Sequence, residues 1–178
     1  MQTDEDVIDR VIEAEGGFVD NPADRGRATK YGITKGKLAD WRGRPVSDAD
    51  VAALTLEEAR RIYRRMLEDL GAAEIPSPHL RWLLLDIVTN HGPGNGVRIL
   101  QRALGVKVDG VFGRLTRAAL ADSSPAHLFR ELGASRLEFT GRIITGNLKD
   151  DDTDGIPDHT EFAAGWLNRQ AKFWRETP

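Results

Sequence analysis

The sequence predicts a mainly α-helical fold of the α+β class, with helices around a central buried helix and a small β-hairpin near the N-terminus. Most of the 178 residues fall into segments whose apolar residues have helical spacing. The segment at residues 79–90, HLRWLLLDIVTN, is apolar on nearly every side, as a central helix would be. Between residues 18 and 34, turn residues and short alternating stretches favour a hairpin.

The first helix is predicted to begin after the N-cap Thr3, with Asp6 three residues on, and to end at Gly16 and Gly17. Its apolar face consists of Val7, Ile8, Val11 and Ile12. Glu15 falls on the same face, which suits a carboxylic acid that must stay protonated near neutral pH until it donates its proton to a leaving oxygen. From the spacing alone, an exposed glutamate at a helix end is the favoured interpretation and a catalytic acid the alternative.

Further helix starts are predicted at Ser47 and at Thr55, where Glu58 would complete a capping box and the helix would run to Gly71. After the central helix, HGPGNG indicates a turn and VRILQRALG a helix. Thr116 is predicted to be the N-cap of the next helix, and two more helices are expected at about 125–147 and 161–175.

Composition excludes several classes of protein. The 40% hydrophobic content is sufficient for a core, and the absence of cysteine excludes disulfides and thiol catalysis. The four histidines form no HExxH motif or close pair, which argues against a zinc hydrolase. Six of the 28 acids lie in residues 150–161, which leaves 22 acidic against 25 basic residues elsewhere. This mild, dispersed positive charge predicts no nucleic-acid partner.

The N-terminal residues are acidic rather than basic, and their apolar residues have helical spacing rather than forming a signal-peptide core. No apolar run approaches the roughly 18 residues that suggest a membrane span. We therefore expect a protein that is made in the cytoplasm without a signal peptide, does not span a membrane and is a monomer.

The segment EGGFVDNPADRGRATKYGIT resembles the start of the glycoside hydrolase family 108 endolysins, which are phage N-acetylmuramidases. In that family the catalytic glutamate opens a Glu-Gly-Gly-aromatic motif, and it matches Glu15 here. The motif continues as Asn21-Pro22, then 24–29, then Gly32-Ile33-Thr34, and it departs from the family at Arg27, where a second glycine is usual. The resemblance implies a lysozyme-like fold with Glu15 as the general acid.

The segment is also similar to the Glu, Asp, Thr arrangement of the all-α phage lysozymes, with eight residues between Glu15 and Asp24 and four between Asp24 and Thr29. That similarity implies that Asp24 and Thr29 are catalytic residues that hold the attacking water or stabilise oxocarbenium-like charge. From the residues alone, Asp24 is equally well explained as a turn residue.

Two substrate-binding residues are also expected. Tyr31 lies near the glutamate motif and is a candidate for sugar contact, as is Trp41. Asn90 lies four residues after Asp86 on the central helix, where family 108 proteins have a similar pair. Asn90 is therefore a candidate hydrogen-bonding residue of the cleft, and a buried amide satisfied by backbone is the alternative.

From Leu100, the sequence LQRALGVKVDGVFGRLT resembles the repeat of peptidoglycan-binding domains. A Phe-x-x-Gly-Trp-x-x-Arg signature of the family is matched by Phe162, Gly165, Trp166 and Arg169. The resemblance implies a catalytic muramidase region at 1–90 and a peptidoglycan-binding-like helical region at 91–178. We expect the two to pack as one compact unit.

The acidic segment DDDTDGIPDHTE matches a calcium loop, with Gly155 at the position of the sharp turn. We expect Ca²⁺ as a structural or regulatory ion, held by a solitary EF-hand-like site; the alternative is a solvated acidic loop. The predicted ligands occupy loop positions 1, 3, 5, 7, 9 and 12: Asp150, Asp152, Asp154, Ile156, Asp158 and Glu161.

Together these features predict an endolysin that hydrolyses the β-1,4 bond between N-acetylmuramic acid and N-acetylglucosamine. Its partner would be bacterial peptidoglycan in the periplasm or cell wall, reached from the host cytoplasm through a holin or another export route. Three alternatives stay open: a lytic transglycosylase, a non-catalytic wall-binding module, and a calcium-dependent structural protein.

Overall fold

The computed structural model describes residues 3–20, 28–144 and 163–176. The chain divides into two compact units, Met1–Pro93 and Gly94–Pro178. The described residues are mainly helical, with short antiparallel strands near the N-terminus. The predicted fold class is confirmed.

The first unit contains six helical segments and three strands among its described residues. In chain order they are α1 Asp4–Glu15, β1 Val19–Asp20, β2 Ala28–Lys30, β3 Ile33–Thr34, α2 Lys35–Arg42, α3 Asp48–Ala52, α4 Leu56–Asp69, a short 3-10 turn Ala72–Glu74, and α5 Pro78–His91.

Helix α1 has the cap and the buried face that its sequence predicts. The Thr3 hydroxyl accepts from the Asp6 backbone N–H, and the Asp6 carboxylate accepts from the Thr3 N–H at 2.7 Å, so the capping box is complete. The apolar face packs against α4 and α5. Its four apolar residues are buried, and each such side chain contributes about 1.5–3 kcal/mol to folding. Helix α5 is buried continuously from Trp82 to Thr89, as expected of the central helix.

The three strands form one antiparallel sheet in the order β1-β2-β3. In its register Val19 pairs with Thr29, and Thr29 pairs in turn with Thr34. The turn between β2 and β3 consists of Tyr31 and Gly32, with φ angles of 54° and 72°. Two consecutive positive φ angles match the right-handed twist of a tight hairpin, and Gly32 adopts its angle without strain.

Helix α2 was not predicted as a separate helix. It begins after Thr34, whose hydroxyl accepts from the Lys37 N–H, and among its residues only Leu38 is buried. One buried residue in two turns gives too little periodicity for sequence reasoning to find the helix. The Thr55 cap is confirmed, but the Glu58 carboxylate does not complete its capping box. It pairs instead with Arg42 of α2, at 2.9 and 2.8 Å.

The helices of the second half are α6 Pro93–Ala103, α7 Arg114–Asp122, α8 Pro125–Ile144 and α9 Ala163–Glu176. The turn predicted over HGPGNG is wrong beyond Gly92, because α6 starts at Pro93. Proline is favoured at the first helical position, where its missing N–H would have no partner within the helix. The N-cap predicted at Thr116 is also wrong: Gly113 is the cap residue, and Thr116 lies buried inside α7.

The tertiary role of Thr116 explains why it is not a cap. Its hydroxyl accepts from the amide of the buried Gln101, which also donates to the Asp109 carboxylate and the Val111 carbonyl. The Gln101 oxygen accepts from the backbone N–H groups of Asp109 and Gly110. The backbone N–H of Val111 and then the Gln101 amide lower the pKa of Asp109. One buried amide therefore holds the loop between α6 and α7.

Helices α8 and α9 pack closely where α8 has a glycine. A Cβ on Gly133 would lie 2.6 Å from the Trp174 ring, and Phe129 meets that ring edge to face at 5.8 Å between centroids. Of the helices described, none is both long enough and apolar enough to cross a membrane.

Candidate active site

Glu15 is the last residue of α1, and its side chain is half-buried against the β2-β3 turn. The side chain packs directly on the Cα of Gly32: a Cβ at that position would lie 2.6 Å from the Glu15 Cγ and 2.8 Å from its Cδ. The same Cβ would lie 2.6 Å from the Tyr63 hydroxyl. Only glycine leaves room for the carboxyl group and the phenol together.

The turn that supports Glu15 is fastened on two sides. The Tyr31 N–H donates to the carbonyl of Gly16, just beyond the end of α1, at 3.2 Å. The buried Tyr63 hydroxyl of α4 donates to the Tyr31 carbonyl at 2.7 Å. Tyr31 is a non-glycine residue at positive φ, a conformation that costs about 1–2 kcal/mol and that these contacts stabilise. The backbone next to Glu15 is thus held in one position.

Lys37 of α2 brings a positive charge to the same place. Its ammonium donates to the Thr89 carbonyl of α5 at 2.8 Å and to the Gly32 carbonyl at 3.5 Å. Burial lowers the pKa of Lys37, and the charge of Glu15 acts on it in the opposite direction. Sequence reasoning missed Lys37, since it lies in the unpredicted helix α2 and its nearness to Glu15 depends on how α1, α2 and α5 pack.

The other predicted residues have different positions. Thr29 occupies the middle strand β2, and Tyr31, half-buried, has the Lys30 ammonium 5.5 Å from its ring centre. The Asn90 amide donates to the Asp86 carbonyl one turn earlier in α5, at 2.8 Å. Trp41 is partly exposed on α2. The roles of Thr29, Tyr31 and Asn90 stay predictions, and Asp24 lies outside the described residues.

The predicted calcium loop, residues 150–161, also lies outside the described residues. Within residues 3–20, 28–144 and 163–176, no group of three or more His, Cys, Asp or Glu side chains could hold a metal ion.

Comparison with known proteins identifies a family for this chain. The model of the family described as "Glycosyl hydrolase 108" matches residues 8–92, and the model described as "Predicted Peptidoglycan domain" matches residues 95–171. No curated protein matches the chain.

A solved structure supports the same assignment over nearly the whole chain. SagA of Brucella abortus is 33% identical, with a TM-score of 0.80, and the match covers 94% of this chain and 88% of the SagA chain. Glu15 and the groups around it lie within the part that the hydrolase model matches. The chain therefore belongs to the glycosyl hydrolase 108 family and is a glycoside hydrolase that acts on peptidoglycan.

Proposed function

We propose that the protein is an N-acetylmuramidase: it hydrolyses the β-1,4 bond between N-acetylmuramic acid and N-acetylglucosamine, with Glu15 as the general acid. The observation that carries the proposal is the half-buried Glu15 carboxyl, packed on Gly32 at the end of a rigid helix. A general acid needs a fixed position and partial shielding from water, and this environment supplies both.

In the proposed reaction Glu15 gives its proton to the glycosidic oxygen as the bond from that oxygen to the sugar C1 breaks. The bonding electrons stay on the oxygen, which leaves as a hydroxyl group. A water molecule adds to C1, and its proton passes to the carboxylate of Asp24. Thr29 would help to hold this water. Two carboxyl groups that flank the bond are the usual requirement for this chemistry.

The products of digestion test the bond that is cleaved. We expect purified sacculi to release fragments that end in reducing N-acetylmuramic acid, because water is the proposed nucleophile. Mass spectrometry of the soluble fragments, before and after borohydride reduction, identifies the new reducing sugar.

A lytic transglycosylase would give a different result. It forms an internal 1,6-anhydro ring, so its fragments are lighter by one water and do not react with borohydride. Anhydro products would contradict the hydrolytic mechanism, and reducing N-acetylglucosamine ends would contradict the choice of bond. Binding to sacculi with no fragments released would point to a non-catalytic wall-binding module.

We also propose an endolysin role. The protein would be made in the host cytoplasm and would reach the wall through a holin or another export route. The match of residues 95–171 to a peptidoglycan domain supports a second unit that binds the wall. Time-lapse microscopy of cells that express the protein with and without a holin tests this role, and lysis only in the presence of the holin is expected.

We propose in addition that the acidic segment binds Ca²⁺, on the strength of its ligand spacing alone. An ion that binds only the folded state stabilises it by about 2.7 kcal/mol at 100 times its dissociation constant. We therefore expect saturating calcium to raise the melting temperature by roughly 5–10 °C, and chelation to reverse the change.

The calcium experiment has a matched control in the same half of the chain. The double variant Asp152→Asn, Asp154→Asn should lose the calcium-dependent stabilisation, because it removes two charged ligands. Asp122→Asn, at an exposed position at the end of α7, should keep it. A calcium response that survives in the double variant would place the ion elsewhere.

A further inference from the structure

The ammonium group of Lys37 takes no part in the proton transfer proposed for Glu15. Lys37 and Glu15 meet at the same glycine: the Glu15 carboxyl packs on the Cα of Gly32, while the Lys37 ammonium approaches the Gly32 carbonyl. A second carbonyl, that of Thr89, fixes the ammonium at 2.8 Å. The charge is therefore held in place by backbone atoms of two separate elements.

A cation fixed beside a carboxyl group favours the ionised form of that group. Glu15 becomes ionised when it gives its proton to the leaving oxygen. The charge of Glu15 raises the pKa of Lys37 and so opposes the effect of burial. Since carbonyl groups already position the ammonium, it need not move when the carboxylate forms, and fixed charges of this kind are the effective ones in catalysis.

We propose that Lys37 is a positioning residue that stabilises the Glu15 carboxylate formed as the proton leaves. The proposal rests on the assignment of Glu15 as the general acid. Lys37 acts through Glu15 and need not touch the substrate.

The elements that contact α1 and α2 carry other titratable groups, which the variants at position 37 should leave unchanged. On the neighbouring described elements these groups include Lys30, Tyr31, Asp48, Asp50, Tyr63, Asp86 and His91. Several have partners of their own: Tyr63 donates to the Tyr31 carbonyl, Lys30 to the Ala52 carbonyl, and Asp48 pairs with Lys35. Variants that change position 37 alone leave all of these groups in place.

The decisive measurement is a carbon-13 NMR titration of the glutamate carboxyl groups, in which Glu15 is identified by the signal that disappears in Glu15→Gln. In Lys37→Met, we expect the Glu15 signal to titrate at a higher pH than in the wild type, because the variant removes a cation that favours the carboxylate. Lys37→Arg should restore the wild-type titration, since it keeps the charge. Lys35→Met, which removes an exposed lysine of the same helix together with its ion pair to Asp48, should leave the Glu15 titration as in the wild type.

The pH dependence of activity gives a second measurement. A rate that needs protonated Glu15 falls as the pH rises through the titration of that group, so Lys37→Met should move the alkaline limb to higher pH. The maximal rate should fall by roughly three- to tenfold, because a weaker acid gives up its proton more slowly. A variant that had only lost packing would lose rate at every pH without moving the limb.

Either of two results would overturn the proposal: a Glu15 titration that is the same in Lys37→Met and wild type, or an equal shift in Lys37→Met and Lys37→Arg. The titration needs no substrate, so it separates this proposal from the proposed function. If the titration is unchanged in an active enzyme, the role proposed for Lys37 is contradicted and the proposed function is not. If the titration shifts in a protein that releases no wall fragments, the coupling of Lys37 to Glu15 is supported and the muramidase activity is contradicted.

Discussion

Replacing Glu15 by glutamine is expected to lower the rate of peptidoglycan hydrolysis by roughly 10²–10⁴-fold, the usual contribution of a general acid. Glutamine has nearly the same shape but has no acidic proton to give to the leaving oxygen. Because Glu15 packs on Gly32 with its side-chain carbons, the amide can occupy the same space and the fold should be preserved. The rate is measured as the clearance of a suspension of purified sacculi.

Helix α1 offers a matched control for this experiment. Glu13→Gln removes a carboxyl group two residues away, on the exposed side of the same helix, and should keep full activity. Circular dichroism and the melting temperature of both variants should match those of the wild type. Clearance at the wild-type rate by Glu15→Gln would remove Glu15 from the mechanism.

The second large effect is expected for Gly32→Ala. The new methyl group would lie 2.6 Å from the Glu15 Cγ and from the Tyr63 hydroxyl, and φ at this position is 72°. An alanine at positive φ costs about 1–2 kcal/mol, and the overlap must also displace the carboxyl group or the phenol. A displacement of about 1 Å at a reacting group can cost on the order of 100-fold in rate. Sacculus clearance per folded molecule measures this loss.

The variant Gly43→Ala separates the backbone strain of Gly32→Ala from its steric overlap with Glu15 and Tyr63. Gly43 ends α2 with a φ of 64°, but apart from its chain neighbours no heavy atom of the described residues lies within 4 Å of the position that its Cβ would occupy. This variant should lose stability through backbone strain alone and keep its activity. If Gly32→Ala proves as active as Gly43→Ala, the close packing of Glu15 on Gly32 has no catalytic importance.

Local signals in the sequence were sufficient for much of the first unit. Thr3 and Asp6 form the predicted capping box, and the apolar spacing from Val7 to Ile12 gives the buried face. Such signals succeed because they depend only on residues within one helix. A capping box joins residues three apart, and a buried face repeats every 3.6 residues. The turn residues and short alternating stretches before Thr34 predict the hairpin for a similar reason, since they too are local features of the chain.

The errors occurred where a side chain has a distant partner. The sequence predicts that Glu58 caps its own helix, yet its carboxylate binds Arg42, 16 residues away. It also predicts that Thr116 caps α7, yet the Thr116 hydroxyl binds Gln101, 15 residues away. In both cases the local interaction was chemically available. Glu58 binds Arg42 because a hydrogen bond between two charged groups is stronger than one to a neutral backbone N–H. Thr116 binds Gln101 because a buried amide that lacks hydrogen-bond partners is costly.

The helical class and the hairpin follow from local patterns in the sequence, and the resemblance to one family identifies Glu15 as the candidate acid. The surroundings of Glu15 depend instead on tertiary packing. Gly32, Lys37 and Tyr63 come from three different elements, and only their packing places a glycine, an ammonium and a phenol around one carboxyl group. Sequence spacing describes neighbours along one helix or strand, whereas the electrostatic environment of an acid is a sum over neighbours in space.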